Sequence, residues 1–368
     1  MKVALYHDWL TGFRGGERVL EAFCELFPDA PIYTLIHQEG VSSSVIDQKT
    51  IYTSKLNKIP NIQNNYRKFL PAFPHVIKSF KLKDKYDLIL SSSHCVIKGI
   101  EKSAGATHIS YIHSPMRYMY DQFDNYFGKN APRYQQLGAK VFRRYLTSWD
   151  INSNKNVDHM IANSNFVQSR ITKYYQRDSS VIHPFVDLED FKEFEKIPPH
   201  KSDYFIILSA FAPNKKVELA IRAFNKNGKK LKIIGSGQQE NYLREIAKNN
   251  IEFLGNLERS EVIKYLSQAQ ALIFPGVEDF GIVPLESMAA GTPVIAFKAG
   301  GVLETLTNKV CEFFDESTVE SLNSGIENFN LKNFSHNELR HQSEKFSRDI
   351  FKRKIMDEIK FKMGGSLG

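Results

Sequence analysis

Short apolar runs alternate with amphipathic helical segments along most of this 368-residue chain. Such alternation is typical of parallel sheets whose strands are joined by crossover helices. The sequence therefore predicts an α/β fold, with helices such as Glu17–Leu26 and Val217–Asn225 between the strands. The predicted strands are Val3–Tyr6, Ile32–Ile36, Leu88–Ser91, His108–Ile112, His159–Ala162, Ser180–His183, Phe205–Leu208, Leu231–Ile234, Glu252–Leu254, Ala271–Phe274 and Pro293–Ala296.

A polar stretch from Lys192 to Asp203, which contains Pro198-Pro199, interrupts this alternation and divides the chain into two near-equal halves. Asn337 to Met363 forms a charged helical segment, and the last five residues resemble a flexible end. Because ligands of open α/β sheets bind beyond the carboxyl ends of the strands, we expect a site in a deep cleft between two facing Rossmann-like domains. The predicted domains are residues 1–192, residues 193–345, and a C-terminal helix and tail over 346–368 that packs back toward the first domain.

The composition narrows the class of partner. No stretch approaches the roughly 20 apolar residues of a membrane span, and the N-terminus has the pattern of a strand. Three isolated cysteines fit a reducing compartment, which predicts a cytoplasmic protein. The cysteines Cys24, Cys95 and Cys311 lie far apart, so neither a disulfide scaffold nor a metal cluster is expected. The net charge of +8 indicates either an anionic partner or simply a basic surface, and the chain lacks zinc-finger spacing and RNA-binding signatures, so nucleic acid is not expected.

The strongest motif follows the strand that ends at Phe274. A helix is expected to begin near Gly281–Pro284 and to stop at Gly291, and the free N–H groups at its start suit a phosphate. Glu278 precedes this helix and Glu286 lies in its first turns. Carboxylates beside a phosphate need hydroxyl partners, and sugar or ribose hydroxyls supply them. A structural turn that carries surface acids is the alternative.

Three further signals are individually weaker. The glycine-rich loop that includes Gly15 and Gly16 lets the backbone approach a diphosphate, although a tight turn explains it as well. It is not G-x-G-x-x-G, which argues against a dinucleotide dehydrogenase. His113 follows a strand, where ligands meet a sheet, or else it is a packing residue. Lys215, in the turn after the first strand of the second half, either serves the site or is a solvated lysine.

At these residues the chain resembles the retaining GT-B glycosyltransferases of family four. Glu278-x7-Glu286 matches the two-glutamate motif of that family, and the resemblance covers nearly the whole chain. Within the family the chain looks most like bacterial mannosyltransferases of surface-polysaccharide assembly. The stretches that carry this second resemblance are Gly15–Leu20, Ser92–Gly99, His113–Tyr118 and Glu278–Pro284.

The resemblance implies a role for each matching residue. Glu286 would bind the ribose of the donor, Glu278 its sugar hydroxyls, and Lys215 would neutralise the departing diphosphate. His113 would contact the donor sugar near the reacting face, and neither metal nor other cofactor is implied. The remaining implied donor residues are Gly15, Gly16, Ser209, Gly235, Asn256, Leu257, Gly281, Ile282 and Val283. The implied acceptor residues are Ser114, Arg117 and Tyr118.

The implied activity is retaining transfer of mannose from GDP-mannose to a hydroxyl of a growing, polyprenol-linked bacterial glycan. Its rivals are another GT-B enzyme, such as a phosphorylase or an epimerase, and a non-catalytic nucleotide-sugar-binding subunit. One departure supports the second rival: Ala210 stands where the family has an arginine, five residues before Lys215. A bidentate phosphate contact is thereby lost, and the candidate replacements are Lys216, Arg14 and Arg18.

Two basic segments with interleaved apolar residues predict peripheral binding to an anionic membrane surface. Packing of their apolar residues on the domain core is the alternative. The first segment carries Arg67, Lys68, Lys78, Lys81, Lys83 and Lys85 beside Phe69, Leu70, Phe73, Val76, Ile77 and Phe80. The second carries Lys129, Arg133, Lys140, Arg143 and Arg144 beside Tyr134, Leu137, Val141, Phe142 and Tyr145.

Overall fold

The computed structural model describes residues 1–117, 119–121, 123, 133–194 and 200–364, without the side chains of residues 133–137 and 139. Tyr118, Lys129 and Pro198-Pro199 lie outside the described residues. The chain forms two compact units. Unit 1 is Met1–His183 with Phe351–Gly368, and unit 2 is Pro184–Ile350. The chain thus changes unit at 183/184 and 350/351, whereas the sequence placed the changes at 192/193 and 345/346.

The described part of unit 1 contains a seven-stranded sheet in the order β3-β2-β1-β4-β5-β6-β7. All neighbouring strands are parallel. The strands are β1 Val3–His7, β2 Ile32–Thr34, β3 Ile51–Thr53, β4 Leu88–Ser93, β5 Thr107–Ile112, β6 His159–Ala162 and β7 Ser180–Val181. The α-helices are α1 Gly15–Leu26, α2 Ser44–Asp47, α3 Ile62–Asn65, α4 Phe73–Lys78, α5 Arg133–Ser153 and α6 Asn165–Tyr175. The 3₁₀ turns are Lys55–Lys58, Tyr66–Ala72, Ile97–Gly99 and Asn154–Asn156.

Unit 2 contains a six-stranded sheet in the order β10-β9-β8-β11-β12-β13 among its described residues, and it is parallel throughout. The strands are β8 Tyr204–Leu208, β9 Lys230–Ile234, β10 Ile251–Gly255, β11 Leu272–Phe274, β12 Val294–Phe297 and β13 Cys311–Phe314. The α-helices are α7 Val217–Asn227, α8 Glu240–Ile246, α9 Arg259–Gln268, α10 Ile282–Ala289, α11 Val319–Asn328 and α12 His336–Glu344. The 3₁₀ turns are Leu188–Phe194, Pro213–Lys215, Gly301–Glu304 and Leu331–Asn333.

The last helix, α13 Arg348–Lys362, crosses from unit 2 into unit 1. Its Phe351 is fully buried and stacks on Phe23 of α1 at a ring distance of 6.1 Å. Glu358 accepts a hydrogen bond of 2.8 Å from Ser180 at the end of the sheet. An apolar ring and a polar contact about two helical turns apart therefore attach α13 to unit 1.

The predicted α/β architecture is confirmed, and each predicted strand overlaps an observed one. The predicted strand Ile32–Ile36 ends at Thr34, because the chain beyond it turns and Leu35 donates to the backbone of Asp8. Two short edge strands, β3 and β13, were not predicted. The predicted helical segment Asn337–Met363 is two helices, α12 and α13, separated by a break near residue 346.

The first basic segment does not present its apolar residues to solvent. Phe73 and Ile77 are buried in the core of unit 1, and Phe69, Leu70, Val76 and Phe80 pack against that core. The predicted insertion of these apolar residues into a membrane is therefore wrong, because they stabilise the domain. Across the described ranges, no helix combines the length and the apolar character needed to cross a bilayer.

Candidate functional site

In unit 2 the strand order reverses between β8 and β11, where ligands of open α/β sheets bind. The turn after β8 ends at Lys215, and the loop after β11 carries Gly276 and Glu278. A Cβ atom on Gly276 would lie 2.7 Å from the carbonyl oxygen of Asn214, so only glycine allows the two loops to approach this closely. The approach brings Lys215 Nζ into an ion pair with Glu278 Oε1.

The loop that holds Glu278 is fixed from the next strand as well. The amide of Gly301, after β12, donates to the carbonyl of Glu278 at 2.9 Å. A Cβ atom on Gly301 would lie 2.2 Å from the carbonyl oxygen of Asp279, so a side chain cannot be accommodated there without a shift. Gly281 then caps α10 with a left-handed φ of 91°. The predicted helix start is confirmed, and its first N–H groups have no intrahelical partner.

Glu286 lies in α10 and is 7% exposed. Its Oε1 accepts from Arg259 Nη1 at 2.7 Å, and Arg259 Nε donates to Asp190 at 2.9 Å. Burial opposes the charge on Arg259, but the carboxylates of Glu286 and Asp190 raise its pKa above the usual value. Arg259 therefore stays charged and holds Glu286 in place.

Sequence reasoning missed Arg259 and Asp190. Arg259 begins α9, far from Glu286 in the chain, and no motif connects the two residues. In the described part of the chain, the buried Nη2 atom of Arg259 has no hydrogen-bond partner. A cavity of about 460 Å³ adjoins this side chain. Its lining residues are Asp190, Glu193, Glu258, Arg259, Ser260 and Ile263.

The other donor residues predicted in unit 2 stand at the carboxyl ends of three neighbouring strands. Gly235 follows β9, and a Cβ atom there would lie 1.9 Å from the carbonyl oxygen of Ser209 after β8. Asn256, after β10, accepts a 3.1 Å hydrogen bond from Ser236. Leu257, the next residue, packs its side chain against the core. Parallel strand order, not sequence proximity, gathers these residues.

Ala210 is exposed in the turn after β8, where the family has its arginine. Of the candidate replacements, Lys216 lies next to Lys215 and is exposed, with a left-handed φ of 53°. Arg18 lies in unit 1 with its guanidinium 5.2 Å from the centre of the Phe13 ring. Arg14, also in unit 1, is exposed and precedes α1. Lys216 is thus the candidate that shares its turn with Lys215.

Unit 1 repeats this geometry at the reversal between β1 and β4. Asp8 follows β1 and is fully buried. Its carboxylate accepts hydrogen bonds from four backbone N–H groups of the turn after β4. The donors are the amides of His94, Cys95, Val96 and Ile97, at 2.7 to 2.9 Å. A buried carboxylate is stable with this many donors. Asp8 thus joins the two strands, a role that the sequence did not reveal.

His113 follows β5 at the same edge of the sheet. Its Nε2 atom lies 2.8 Å from Ser92 Oγ in β4, and Ser92 Oγ lies 3.1 Å from Nδ1 of His7. Burial and the neighbouring imidazoles of His94 and His7 hold the pKa of His113 well below its usual value, so its ring is neutral at pH 7. Gly16, at the start of α1, faces both rings: a Cβ atom there would lie 3.5 Å from His7 and 3.9 Å from His113.

Of the three predicted acceptor residues, Ser114 and Arg117 lie in the described part of the chain. Ser114 is 5% exposed, and its hydroxyl donates to Pro115 O and accepts from Arg170. Arg117 is half-buried. The hydroxyl of Ser114 is satisfied inside the protein, so it would have to exchange a partner to contact an acceptor. The acceptor roles stay predictions.

The two units match two family models. Residues 13–190 match the model described as Glycosyltransferase Family 4, and residues 189–349 match the model described as Glycosyl transferases group 1. The fold and the two matches define a glycosyltransferase of the GT-B fold class. The chain belongs to the family-four glycosyltransferases, since the two models together span residues 13–349.

Relatives with known names match over part of their length. The O-antigen chain mannosyltransferase RfbU of Salmonella typhimurium is 29% identical over 181 residues, which are 46% of this chain and 49% of RfbU. A GDP-mannose-dependent phosphatidylinositol monomannoside mannosyltransferase of Corynebacterium glutamicum is 39% identical over 103 residues, 25% of this chain and 27% of the relative. The matched stretches thus span less than half of these relatives.

A solved structure shows the same fold at low identity. HepE of Anabaena, in complex with UDP and glucose, aligns with a TM-score of 0.67 and 16% identity. The alignment covers 98% of this chain and 99% of HepE. At this identity the likeness supports the fold alone.

Proposed function

We propose that this protein is a retaining mannosyltransferase that transfers mannose from GDP-mannose to a hydroxyl of a growing, lipid-linked bacterial glycan. The observation that carries the proposal is the ion pair between Lys215 and Glu278, which lies just before α10, together with Glu286 inside α10. The sugar and the base are supported by RfbU and by the Corynebacterium enzyme, whose names state mannose and GDP-mannose.

The donor roles follow from charge and hydrogen-bonding capacity. The diphosphate binds the N–H groups at the start of α10 and the ammonium of Lys215. Glu286, whose position Arg259 fixes, accepts from the ribose hydroxyls. Glu278 then exchanges part of its contact with Lys215 for a hydroxyl of the sugar. The roles of Gly15, Gly16 and His113 toward the donor remain those that the family resemblance implies.

The transfer is a substitution at the anomeric carbon. The acceptor oxygen forms a bond on the face from which the diphosphate departs, and the bond to the β-phosphate oxygen breaks. The leaving oxygen accepts the proton of the acceptor hydroxyl, so charge balances without a metal ion in the step. The protein contributes mainly orientation and stabilisation of the leaving group.

Incubation with GDP-mannose and a polyprenol-linked glycan tests the proposal. We expect GDP release that depends on the acceptor, and a product whose new linkage has the α configuration of the donor by NMR. A β linkage would contradict retention. Release of mannose phosphate from the glycan when inorganic phosphate replaces GDP-mannose would favour a phosphorylase, and nucleotide binding without any turnover would favour a non-catalytic subunit.

A second proposal concerns α5, where the apolar residues are exposed. Val141, Phe142 and Tyr145 are 64%, 43% and 47% exposed beside the exposed cations Lys140 and Arg144. We propose that this surface binds an anionic membrane, since charge complementarity selects anionic lipid and apolar side chains can insert among the lipids. Lipid-linked acceptors would be presented at such a surface.

Co-sedimentation with vesicles that contain phosphatidylglycerol, compared with neutral phosphatidylcholine vesicles, tests this surface. Lys140→Glu with Arg144→Glu should abolish binding at low salt, because each cation near the surface contributes about 1 kcal/mol. Lys81→Glu with Lys83→Glu is the matched control and should bind like the wild type. Arg143 is left unchanged because it donates to the backbone carbonyl of Met119. Equal binding of wild type and the α5 variant would contradict the proposal.

A further inference from the structure

A chain of polar side chains crosses the carboxyl edge of the sheet in unit 1, from Glu17 in α1 to His113 after β5. His7 ends β1 and pairs in register with Ser92 of the neighbouring β4. Ser92 Oγ lies 3.1 Å from His7 Nδ1 and 2.8 Å from His113 Nε2. On the other side of the His7 ring, Nε2 lies 3.9 Å from Glu17 Oε1. His7 and Ser92 are fully buried.

The Glu17 end of the chain sets the position of the hydrogen on His7. Burial raises the pKa of Glu17, but the side chain of His7 and other neighbouring groups lower it below the usual value, so the carboxylate is ionised at neutral pH. Within the described ranges, no hydrogen-bond partner reaches the buried His7 Nε2. If His7 Nε2 carried no hydrogen, its lone pair would point toward the negative carboxylate of Glu17. If Nε2 carries the hydrogen, the positive end of the N–H group points toward that carboxylate instead. Electrostatics therefore favours the neutral tautomer of His7 with hydrogen on Nε2.

Ser92 couples the tautomer of His7 to the tautomer of His113, because its hydroxyl has only one hydrogen to donate. His7 Nδ1 carries no hydrogen in this tautomer, so Ser92 donates to it. A lone pair of Ser92 Oγ then accepts from His113, which must carry its hydrogen on Nε2. The carbonyl oxygen of Gly16, 3.5 Å from Ser92 Oγ, is a more distant acceptor for the hydroxyl hydrogen than His7 Nδ1. The second nitrogen of His113, Nδ1, is left as an acceptor, and no described group forms a hydrogen bond with it.

We propose that Glu17, His7 and Ser92 are positioning residues that fix the tautomer of His113, so that its Nδ1 accepts a hydrogen bond from a hydroxyl of the donor sugar. The inference about the sugar rests on the proposed function. The inference about the tautomer concerns the protein alone. Without the chain, the neutral ring of His113 would divide between two tautomers, and one of them would present a donor where the hydroxyl needs an acceptor.

Long-range ¹H–¹⁵N correlation spectra of the histidine side chains test the tautomer directly, with His113→Gln used for assignment. In the wild type we expect His113 to carry its hydrogen on Nε2. Ser92→Ala should shift His113 toward a mixture of the two tautomers. The matched control is Ser91→Ala, because Ser91 is an equally buried neighbour in β4 whose hydroxyl contacts His108 instead. Ser91→Ala should leave the His113 signals unchanged.

Kinetics provide the second readout. Ser92→Ala should lower kcat/KM for the nucleotide sugar about two- to tenfold, the range for one neutral hydrogen bond, with the Kd of GDP unchanged. A wild-type His113 with hydrogen on Nδ1, or an unchanged tautomer in Ser92→Ala, would overturn the proposal. Absence of any transfer by the wild type would count against the proposed function, while the spectra would still decide the tautomer.

Discussion

Lys215→Ala removes the cation that pairs with Glu278 beside the start of α10. The two side chains are 22% and 19% exposed, so solvent screens them only in part. Losing one hydrogen bond to a charged group costs about 1.5–3 kcal/mol. The variant also leaves Glu278 without its partner, next to the negative diphosphate, which adds repulsion in the same direction. The proposal therefore predicts a fall in kcat of about ten- to hundredfold.

Continuous measurement of GDP release under donor saturation tests this prediction. Lys215→Arg keeps the charge and should recover part of the rate. Lys230→Ala is the control for general effects, because Lys230 is exposed and opens β9 at the opposite edge of the same sheet. A loss of less than about threefold in Lys215→Ala would refute the reasoning, since other groups would then be stabilising the leaving diphosphate.

Further substitutions test the remaining assignments. Glu286→Ala should weaken GDP binding about tenfold or more, whereas Glu278→Ala should lower kcat more than binding, and calorimetry with kinetics separates the two; wild-type behaviour of both would overturn the site. Arg259→Met removes the 2.7 Å partner of Glu286 and should weaken GDP binding about tenfold, with Arg259→Lys intermediate; unchanged affinity in Arg259→Met would show that Glu286 needs no positioning. Ala210→Arg should tighten GDP binding, and weaker binding would mean that the turn has diverged from the family. Burial lowers the pKa of Lys201 to about 7, against about 10.4 in the unfolded chain. Between these two values the unfolded state therefore binds one more proton than the folded state. The free energy of unfolding consequently rises by about 1.4 kcal/mol per pH unit above pH 7. Lys201→Met should flatten that rise in denaturation experiments between about pH 7 and 9, and equal slopes would contradict the shift.

The sequence predicted those features that depend on local pattern. Buried parallel strands are continuous apolar runs, and the start of α10 follows from Gly281 and Pro284. The short edge strands β3 and β13 lack such a run: β3 is three residues, none of them buried, and it is stabilised by pairing with β2. Its existence depends on a neighbour that local pattern does not reveal.

In the candidate site, too, the sequence predicted the residues that belong to a local pattern and missed those that depend on tertiary contacts. Glu278, Glu286 and Lys215 are recognisable because their motif is contiguous or follows a strand end. Arg259, at the start of α9, reaches Glu286 through the tertiary fold, and no sequence spacing predicts that contact. Ser92 and His7 meet because the register places β1 beside β4, which is a property of sheet order and not of either segment.

In the proposed function, unit 2 binds a guanosine diphosphate sugar through Glu286. The most direct measurement is a thermal-shift panel of GDP, UDP, ADP and their sugar conjugates with the wild type and Glu286→Ala. At a ligand concentration of about 100 Kd, binding to the native state adds about 2.7 kcal/mol to the free energy of unfolding. We expect GDP and GDP-mannose to raise the Tm of the wild type most, and Glu286→Ala to lose about half of this stabilisation if its Kd rises tenfold and most of it if its Kd rises about a hundredfold. Equal shifts in both proteins, or stabilisation by UDP or ADP compounds instead, would contradict it.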